Sequence, residues 1–241
     1  MATWVSTSLG ASLTLGSSSS WGGIGVASAL TAIGVTGVGP LTLGAGGIDM
    51  SAAAVDLTLG TPIALGASQT WNVNSGRTLT ASGIISGTGM GITKAGSGTL
   101  TLKGANTYDG ATTILGGTLV ADTASTATIL NSSSPLTFTS SGTFQLKGLS
   151  AQTRTQILNG LTLTGGAATI DANNTGTSTT IDLRGSGGTL TITRSAGATV
   201  DFKATAGTFG TNAVVNTAQA NDGAGILGAW ATVNTGAAGD G

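Results

Sequence analysis

Residues Gly96–Val120, which read GSGTLTLKGANTYDGATTILGGTLV, carry the clearest pattern in this chain. Near its start, Thr99–Lys103 alternates polar and apolar residues, so that Leu100 and Leu102 lie on one face of an extended segment. Glycines, as in Gly-Ser-Gly and Gly-Gly, flank these runs at points where a coiled backbone must bend sharply. The stretch therefore predicts short strands, each with one apolar face, joined by tight turns.

The same alternation recurs along the chain in short runs. Examples are Leu41–Leu43, Leu57–Leu59, Leu161–Leu163 and Leu190–Ile192. Their close and persistent spacing is typical of a sandwich, a barrel or a solenoid. Strands of only about three to five residues would form a thin sandwich, whereas each coil of a solenoid buries its apolar face on its neighbours. We therefore predict an all-β chain folded as a β-solenoid.

Two similar segments predict the length of one coil. IDLR begins at Ile181 and VDFK begins at Val200, and both have the order apolar, acidic, apolar, basic. Their spacing predicts a 19-residue coil, which stacks each residue of the first segment under its counterpart in the second. It also permits diagonal ion pairs between the acid of one segment and the base of the other, each worth under about 1 kcal/mol when exposed.

The composition fits a repetitive all-β chain. Gly occupies 42 of the 241 positions, whereas average usage near 7% predicts about 17. Charged residues make up 7% of the chain, against about 25% in an average protein. Every acid is Asp, and without Glu an exposed helical face would consist of Thr, Ser and Gly, which are poor helix formers. A hydrophobic content of 39% with a net charge of −1 argues against disorder.

Charge and hydropathy also limit the partners. A net charge of −1 gives no electrostatic reason to bind nucleic acid or an anionic membrane. The sequence has no apolar run of about 20 residues and so predicts no membrane-spanning helix. Residues 1–15 lack the basic start of a secretory signal. Weak self-repulsion instead permits close packing of like molecules. Because the pattern reaches both ends, we expect the chain to be part of a longer array or a building block for one.

The stretch Gly96–Val120 resembles the passenger-associated transport repeat, also called the autotransporter-associated β-strand repeat, of large bacterial surface proteins. The family pattern is approximately GxGTLTLSGxNTYTGxTTIxxGTLxV, and the match is dense over the whole stretch. Upstream, Gly66–Trp71 and Gly76–Leu79 are similar to the segment that leads into this repeat. Downstream, Asn221–Gly223 and Trp230–Asn234 resemble a linking element of multi-repeat proteins. Together these segments extend the resemblance over much of the chain.

This resemblance implies a right-handed parallel β-helix that is secreted and displayed at a bacterial surface, and it implies no activity. Lys103 and Asp109 stand where the family pattern has small or hydroxylated residues, which leaves the assignment intact. We predict one solenoid domain over residues 1–241. Its N-terminal coils would span residues 1–65, its core repeat residues 66–121 and its C-terminal coils residues 122–241.

Little catalytic chemistry is available to this chain. It has no His and no Cys, which excludes Ser-His-Asp and Cys-His catalysis and the usual zinc sites. Asp182, Arg184, Asp201 and Lys203 are the best candidates for a polysaccharide-cleaving site of the β-helix type. Coils about 4.8 Å apart would bring the two carboxylates near the separation of about 5–9.5 Å that glycoside hydrolysis needs. We interpret these residues instead as a solvated charged stripe and predict no catalytic residue.

Two glycine-rich segments are candidates for calcium sites. Gly46–Asp49 and Gly165–Asp171 do not keep the spacing of calcium-binding β-rolls over successive copies. We therefore predict no metal ion and no cofactor.

Threonine pairs suggest a possible ice-binding face. They occur at Thr99 and Thr101, at Thr162 and Thr164, and at Thr189, Thr191 and Thr193. Such a face requires a flat array over many coils, and Thr is in any case favoured on exposed strands. We interpret these pairs as ordinary strand surface.

The aromatic residues are few and scattered. Trp4, Trp21, Trp71 and Trp230 are predicted to cap or fill the core near the coil ends rather than to stack on sugars. Tyr108 is predicted to cover the turn after Asn106.

These patterns predict a structural protein rather than an enzyme. We expect a rod at the bacterial cell surface or outside the cell, whose open coil ends stack on like molecules to form a fibre. One alternative is an adhesin or glycan-binding passenger that presents outward Thr, Asn and Trp to extracellular glycans. A second alternative is the polysaccharide-cleaving enzyme.

Overall fold

The computed structural model describes residues 2–4, 12–27, 31–174, 176–189, 191–209, 211–218 and 231–234. In these residues the chain forms β-strands and turns without any helix, so none of them belongs to a helix that could cross a membrane. Because every pair of neighbouring strands is parallel and the strands stack coil on coil, the predicted all-β solenoid is confirmed.

The strands are short throughout the described part of the chain. The first thirteen are β1 (Ala2–Trp4), β2 (Ser12–Leu15), β3 (Ser19–Trp21), β4 (Ile24–Val26), β5 (Ile33–Gly37), β6 (Leu41–Leu43), β7 (Ile48–Met50), β8 (Leu57–Leu59), β9 (Ile63–Leu65), β10 (Gln69–Val73), β11 (Thr78–Ala81), β12 (Ile85–Ser86) and β13 (Ile92–Ala95). The others are β14 (Thr99–Leu102), β15 (Thr112–Ile114), β16 (Thr118–Asp122), β17 (Leu136–Phe138), β18 (Gly142–Lys147), β19 (Thr153–Ile157), β20 (Leu161–Leu163), β21 (Ala167–Asn173), β22 (Ser178–Asp182), β23 (Ile192–Arg194), β24 (Thr199–Lys203), β25 (Ala213–Asn216) and β26 (Ala231–Asn234).

The strands form three faces of the solenoid. The first face has the order β1-β4-β7-β10-β13-β15-β17-β20-β23, and the second has the order β2-β5-β8-β11-β14-β16-β18-β21-β24-β26. The third face consists of two separate sheets, β12-β9-β6-β3 and β19-β22-β25. A complete coil therefore passes through one strand of each face in turn, as β4, β5 and β6 do.

Apolar residues from successive coils stack inside the solenoid in register. One such column runs along the second face and has two aromatic residues among its last three positions. Its members are Ile33, Leu57, Leu79, Leu100, Leu119, Phe144, Ile170 and Phe202. Each is at most 4% exposed, and burying one such side chain contributes roughly 1.5–3 kcal/mol. The alternation read from the sequence thus becomes a continuous core because each coil covers the one before it.

The predicted 19-residue stacking of the two similar segments is wrong. Phe202 lies in β24 on the second face and pairs with Ile170 in β21. Ile181 lies in β22 on the third face, where it pairs with Gln156 in β19. The two segments look alike because any strand of this solenoid alternates inward apolar and outward polar residues, whichever face it belongs to.

The length of a coil varies along the chain. Thr99 stacks on Thr118 within the motif, whereas Thr180 stacks on Val214 near the C-terminal end of the described chain. The stretch of chain between the stacked residues is much longer in the second pair. The strands themselves stay short, so the turns and loops between them take up the difference. A single period therefore does not describe this solenoid.

The third face is interrupted next to the motif Gly96–Val120. Residues 103–111 and 123–135 pass along this face in successive coils without forming a strand. Side-chain amides replace part of the missing ladder. Asn106 accepts a hydrogen bond from Ile85 N–H (2.8 Å) and donates to the carbonyl of Ile129 (2.9 Å). The gap separates β12 from β19.

Candidate functional site

The four candidate catalytic residues do not meet at one place. Asp182 is in β22 on the third face, whereas Asp201 and Lys203 are in β24 on the second. Asp182 is held by Arg184, whose Nε lies 2.9 Å from Oδ1 and whose Nη2 lies 2.7 Å from Oδ2. These hydrogen bonds, with the guanidinium charge, lower the pKa of Asp182 below its usual value. A depressed pKa suits a permanently ionised structural partner rather than a general acid.

The predicted diagonal ion pairs are also wrong. Asp201 accepts a hydrogen bond from the hydroxyl of Thr232 in the next coil, at 2.7 Å. Lys203 is the register partner of Asp171 in β21. Neither pairs with Asp182 or Arg184, because the strands that carry them belong to different faces.

A charge cluster that sequence reasoning missed surrounds Asp122 on the second face. Its carboxylate lies 3.8 Å from Lys103 Nζ and 3.4 Å from Lys147 Nζ, and only 7% of its side chain is exposed. Asp122 is the register partner of Lys147. The three charges come from successive coils and neutralise one another in part, so they tie coils together instead of forming an open anion or cation site.

The acids of the two glycine-rich segments bond within the protein. Asp49 accepts hydrogen bonds from Ser51 N–H (2.9 Å) and Asn72 Nδ2 (3.5 Å). Asp171 is buried and accepts from Gln145 Nε2 (2.7 Å) and from the N–H and hydroxyl of Thr205. Across the described ranges, no three acidic side chains come together where they could hold a metal ion.

A buried lysine inside the solenoid has no counterpart in the sequence-based predictions. Lys94 is 1% exposed and stacks in register between Trp71 and Ile114. Its Nζ donates to the carbonyl oxygens of Ala95 (2.7 Å), Gly96 (2.8 Å) and Gly116 (3.2 Å). Burial lowers the pKa of Lys94 to about 8, because charge is costly away from water. The ammonium thus joins the turns of two successive coils.

Tyr108 lies in the core rather than over the turn after Asn106. It is fully buried, and its hydroxyl lies 2.8 Å from the hydroxyl of Thr112, which is 3.0 Å from that of Ser134. Ser134 donates in turn to the carbonyl of Gly110 at 2.7 Å. Burial raises the pKa of Tyr108 well above its usual value. Because its hydroxyl is paired within the protein, Tyr108 has a structural role.

The tryptophans are also part of the packing where they are described. Trp71 is fully buried within the run of coils, and its indole N–H donates to Gln69 Oε1 at 3.0 Å. It therefore fills the core, but away from the coil ends where the sequence places it. Trp21 is half-buried against the core. The side chain of Trp4 and all of Trp230 lie outside the described residues.

Outward threonines form ladders along the solenoid. The longest on the first face runs without interruption through six strands. Its members are Thr70, Thr93, Thr113, Thr137, Thr162 and Thr193. On the second face, paired columns continue only from Thr78 and Thr80 to Thr99 and Thr101, since Val120 takes the next position. The double array that would suit an ice-binding face thus covers two coils.

The interruption of the third face leaves a groove between residues 128–132 and β19, which we call the third-face groove. It has a volume of about 400 Å³, within the range of small-molecule sites, about 300–1,000 Å³. Its lining is uncharged. The lining residues include Thr128, Leu130, Asn131, Ser132, Thr155 and Ile157. Sequence reasoning gave no signal for it, because it arises from two coils that lack a strand.

Comparison with known families identifies the repeat in the middle of the chain. Residues 92–121 match the family model described as passenger-associated-transport-repeat. This chain carries a passenger-associated transport repeat. The resemblance stated for Gly96–Val120 is confirmed. Comparisons with curated proteins and with solved structures gave no match.

The repeat corresponds to β13, β14, β15 and β16 with the strandless segment 103–111 between them. It contains the buried lysine, the bridging asparagine and the buried tyrosine, that is, Lys94, Asn106 and Tyr108. All three side chains bond to the protein itself. The passenger-associated transport repeat therefore specifies coil architecture in this chain, and its buried polar groups are used for stacking.

Proposed function

We propose that this chain is a non-enzymatic structural rod of the bacterial cell surface that associates end to end with like solenoids. The passenger-associated transport repeat and the β-solenoid fold support a passenger-type structural protein. The kind of protein in which this repeat occurs supports export and display at the cell surface. The neutral, threonine-rich exterior supports close association, because a net charge of −1 over 241 residues gives little mutual repulsion.

The observation that carries end-to-end association is the outer edge of β25, where the described residues add only an isolated bridge between Ala213 and Phe209. Leu183 N–H donates to Asn216 O and Thr179 N–H to Asn212 O, so the even-numbered residues of β25 face β22. Neighbouring residues of a strand direct their backbone groups to opposite edges, so the N–H of Val215 points away from β22. Among the described strands β25 has only this one neighbour. Such an edge is a template for another strand.

The test compares the unaltered chain with a variant whose edge is blocked. Val215→Pro removes the outward N–H and keeps the bonds that β25 makes with β22. We expect rods that lengthen with concentration by electron microscopy and sedimentation velocity. In Val215→Pro, association should require about tenfold more protein, the equivalent of one lost net hydrogen bond.

Val215→Ala is the matched control, because it shortens the same side chain but keeps the N–H. It should associate like the unaltered chain. Monomers at every concentration of the unaltered chain, or equal association of the proline and alanine variants, would refute end-to-end stacking through this edge.

A further inference from the structure

The third-face groove has features of a binding site that are independent of rod assembly. It lies where two successive coils lack a strand, and β19 forms one of its walls. The opposite wall is the loop that contains Thr128 and Ser132. The question is which kind of molecule these walls would bind.

Three hydroxyl groups in the groove are available to a ligand. Thr128, Ser132 and Thr155 are exposed, and none of their hydroxyls bonds to any residue in the described part of the chain. The same lining includes the half-buried apolar side chain of Ile157, whereas Leu130 is only 2% exposed and belongs to the core. Hydroxyls next to an apolar side chain match the surface of a sugar, which carries hydroxyls at its rim and C–H groups on its face.

The frame of the groove is held in place by saturated amides. Gln156 Oε1 accepts from the N–H groups of Ile129 and Leu130, both at 2.9 Å, and its Nε2 donates to the carbonyls of Leu130 and Ile157, both at 2.8 Å. Gln156 is fully buried. Because the amide fixes the loop to β19, the hydroxyls are presented from a rigid surface, which lowers the entropic cost of binding.

One backbone position also faces the groove. Leu158 N–H donates to Asp182 O in β22, so the even-numbered residues of β19 face β22 and Thr155 faces the opposite way. The N–H and C=O of Thr155 bond to no described residue outside β19 and β22. The carbonyl of Ile157 is already occupied by Gln156. Only a short length of open edge is therefore available. Strand addition by a peptide needs several main-chain hydrogen bonds, so this edge does not favour a peptide ligand.

The lining contains no ionisable residue, so a charged ligand would lose its hydration without gaining a partner. We propose that the third-face groove binds an uncharged oligosaccharide through the hydroxyls of Thr128, Ser132 and Thr155 and the backbone of Thr155. The half-buried side chain of Ile157 receives the face of one sugar ring. A solenoid with this groove would act as a glycan-binding surface element whether or not it assembles into rods.

Binding is tested by nuclear magnetic resonance of the isotopically labelled full chain titrated with cellohexaose, chitohexaose and maltohexaose. At least one of these neutral probes should shift the amide signals of the groove residues in a saturable manner. Thr155→Val, which removes one hydroxyl and keeps the branched shape, should weaken that binding about fivefold or more, as expected for one lost hydrogen bond. Thr180→Val is the matched control, since Thr180 is the register partner of Thr155 away from the groove.

Two outcomes would overturn the proposal. One is the absence of saturable shifts with all three oligosaccharides, or equal binding by the Thr155→Val and Thr180→Val variants. The other is saturation of the groove by an extended uncharged peptide, such as a threonine-valine hexamer, but by none of the sugars, which would assign the groove to strand addition. Because the measurements are made on monomer at low concentration, neither outcome depends on rod assembly.

Discussion

Among the individual residues, Lys94 is notable because its buried ammonium group links two successive coils. Lys94 contributes three charge-assisted hydrogen bonds to carbonyls of two successive coils, but it does so without a carboxylate partner among the described residues. A cation placed in this way is a compromise, since the desolvation of the ammonium opposes its hydrogen bonds. Desolvation is also the reason that the pKa of Lys94 is lowered.

This lysine predicts a particular dependence of stability on pH. Between about pH 8 and the ordinary lysine value of 10.5, the unfolded chain holds a proton that the folded chain has lost. The unfolded state then binds more protons, so stability rises with pH. We expect the free energy of unfolding to increase by about 2 kcal/mol from pH 7 to 9.5 through this group.

The measurement is chemical denaturation at several pH values, with Lys94→Met as the comparison. The methionine variant fills the same space but has no proton to lose, so it should lack the rise. If both proteins show the same pH profile, Lys94 is not desolvated as described.

Sequence reasoning located the motif but not the roles of its polar residues. Thr99–Lys103 revealed which leucines face inward, because alternation reports directly on the two sides of a strand. Lys94 and Tyr108 could not be placed in the core in the same way. A lysine or tyrosine at an inward position looks like a break in the pattern. One carbonyl that satisfies Lys94 comes from the next coil, and Tyr108 reaches the next coil only through Thr112 and Ser134.

At the scale of the element, the interruption of the third face is the feature with most consequences. Two successive coils lack a strand there, and their backbone bonding is completed by side-chain amides. Asn106 and Gln156 do at this position what strand pairing does in the other coils. The sequence predicted short strands correctly, but it gave no indication that one face would be divided, because turns and strandless passages have similar compositions here.

Asn106 should therefore matter more to stability than other asparagines. Asn106→Ala leaves the buried N–H of Ile85 without its acceptor, which costs about 1–3 kcal/mol. We expect a corresponding fall in the free energy of unfolding and faster hydrogen exchange of the Ile85 amide.

Asn72→Ala is the control for this effect. Asn72 is on the surface and makes only a long 3.5 Å contact with Asp49, so its loss should change stability by less than about 0.5 kcal/mol. Equal losses in the two variants would show that the asparagine bridge does not hold these coils together.

At the scale of the whole molecule, the solenoid keeps its register while its coils change length. Alternation along the chain was enough to predict the fold class, because any strand that buries one face on its neighbours produces that pattern. It was not enough to predict which strands stack. The 19-residue offset that seemed to align residues 181–184 with residues 200–203 belongs instead to Thr99 and Thr118 within the passenger-associated transport repeat.

The register of this parallel solenoid can be measured with paired cysteines, since the chain has none of its own. Thr137 and Thr162 are outward register partners, and strands about 4.8 Å apart are within reach of a disulfide. We expect the Thr137→Cys/Thr162→Cys variant to form an intramolecular disulfide on mild oxidation, detected by mass spectrometry, and the Asp182→Cys/Asp201→Cys variant to form none. A disulfide in the second variant and none in the first would contradict the register described here.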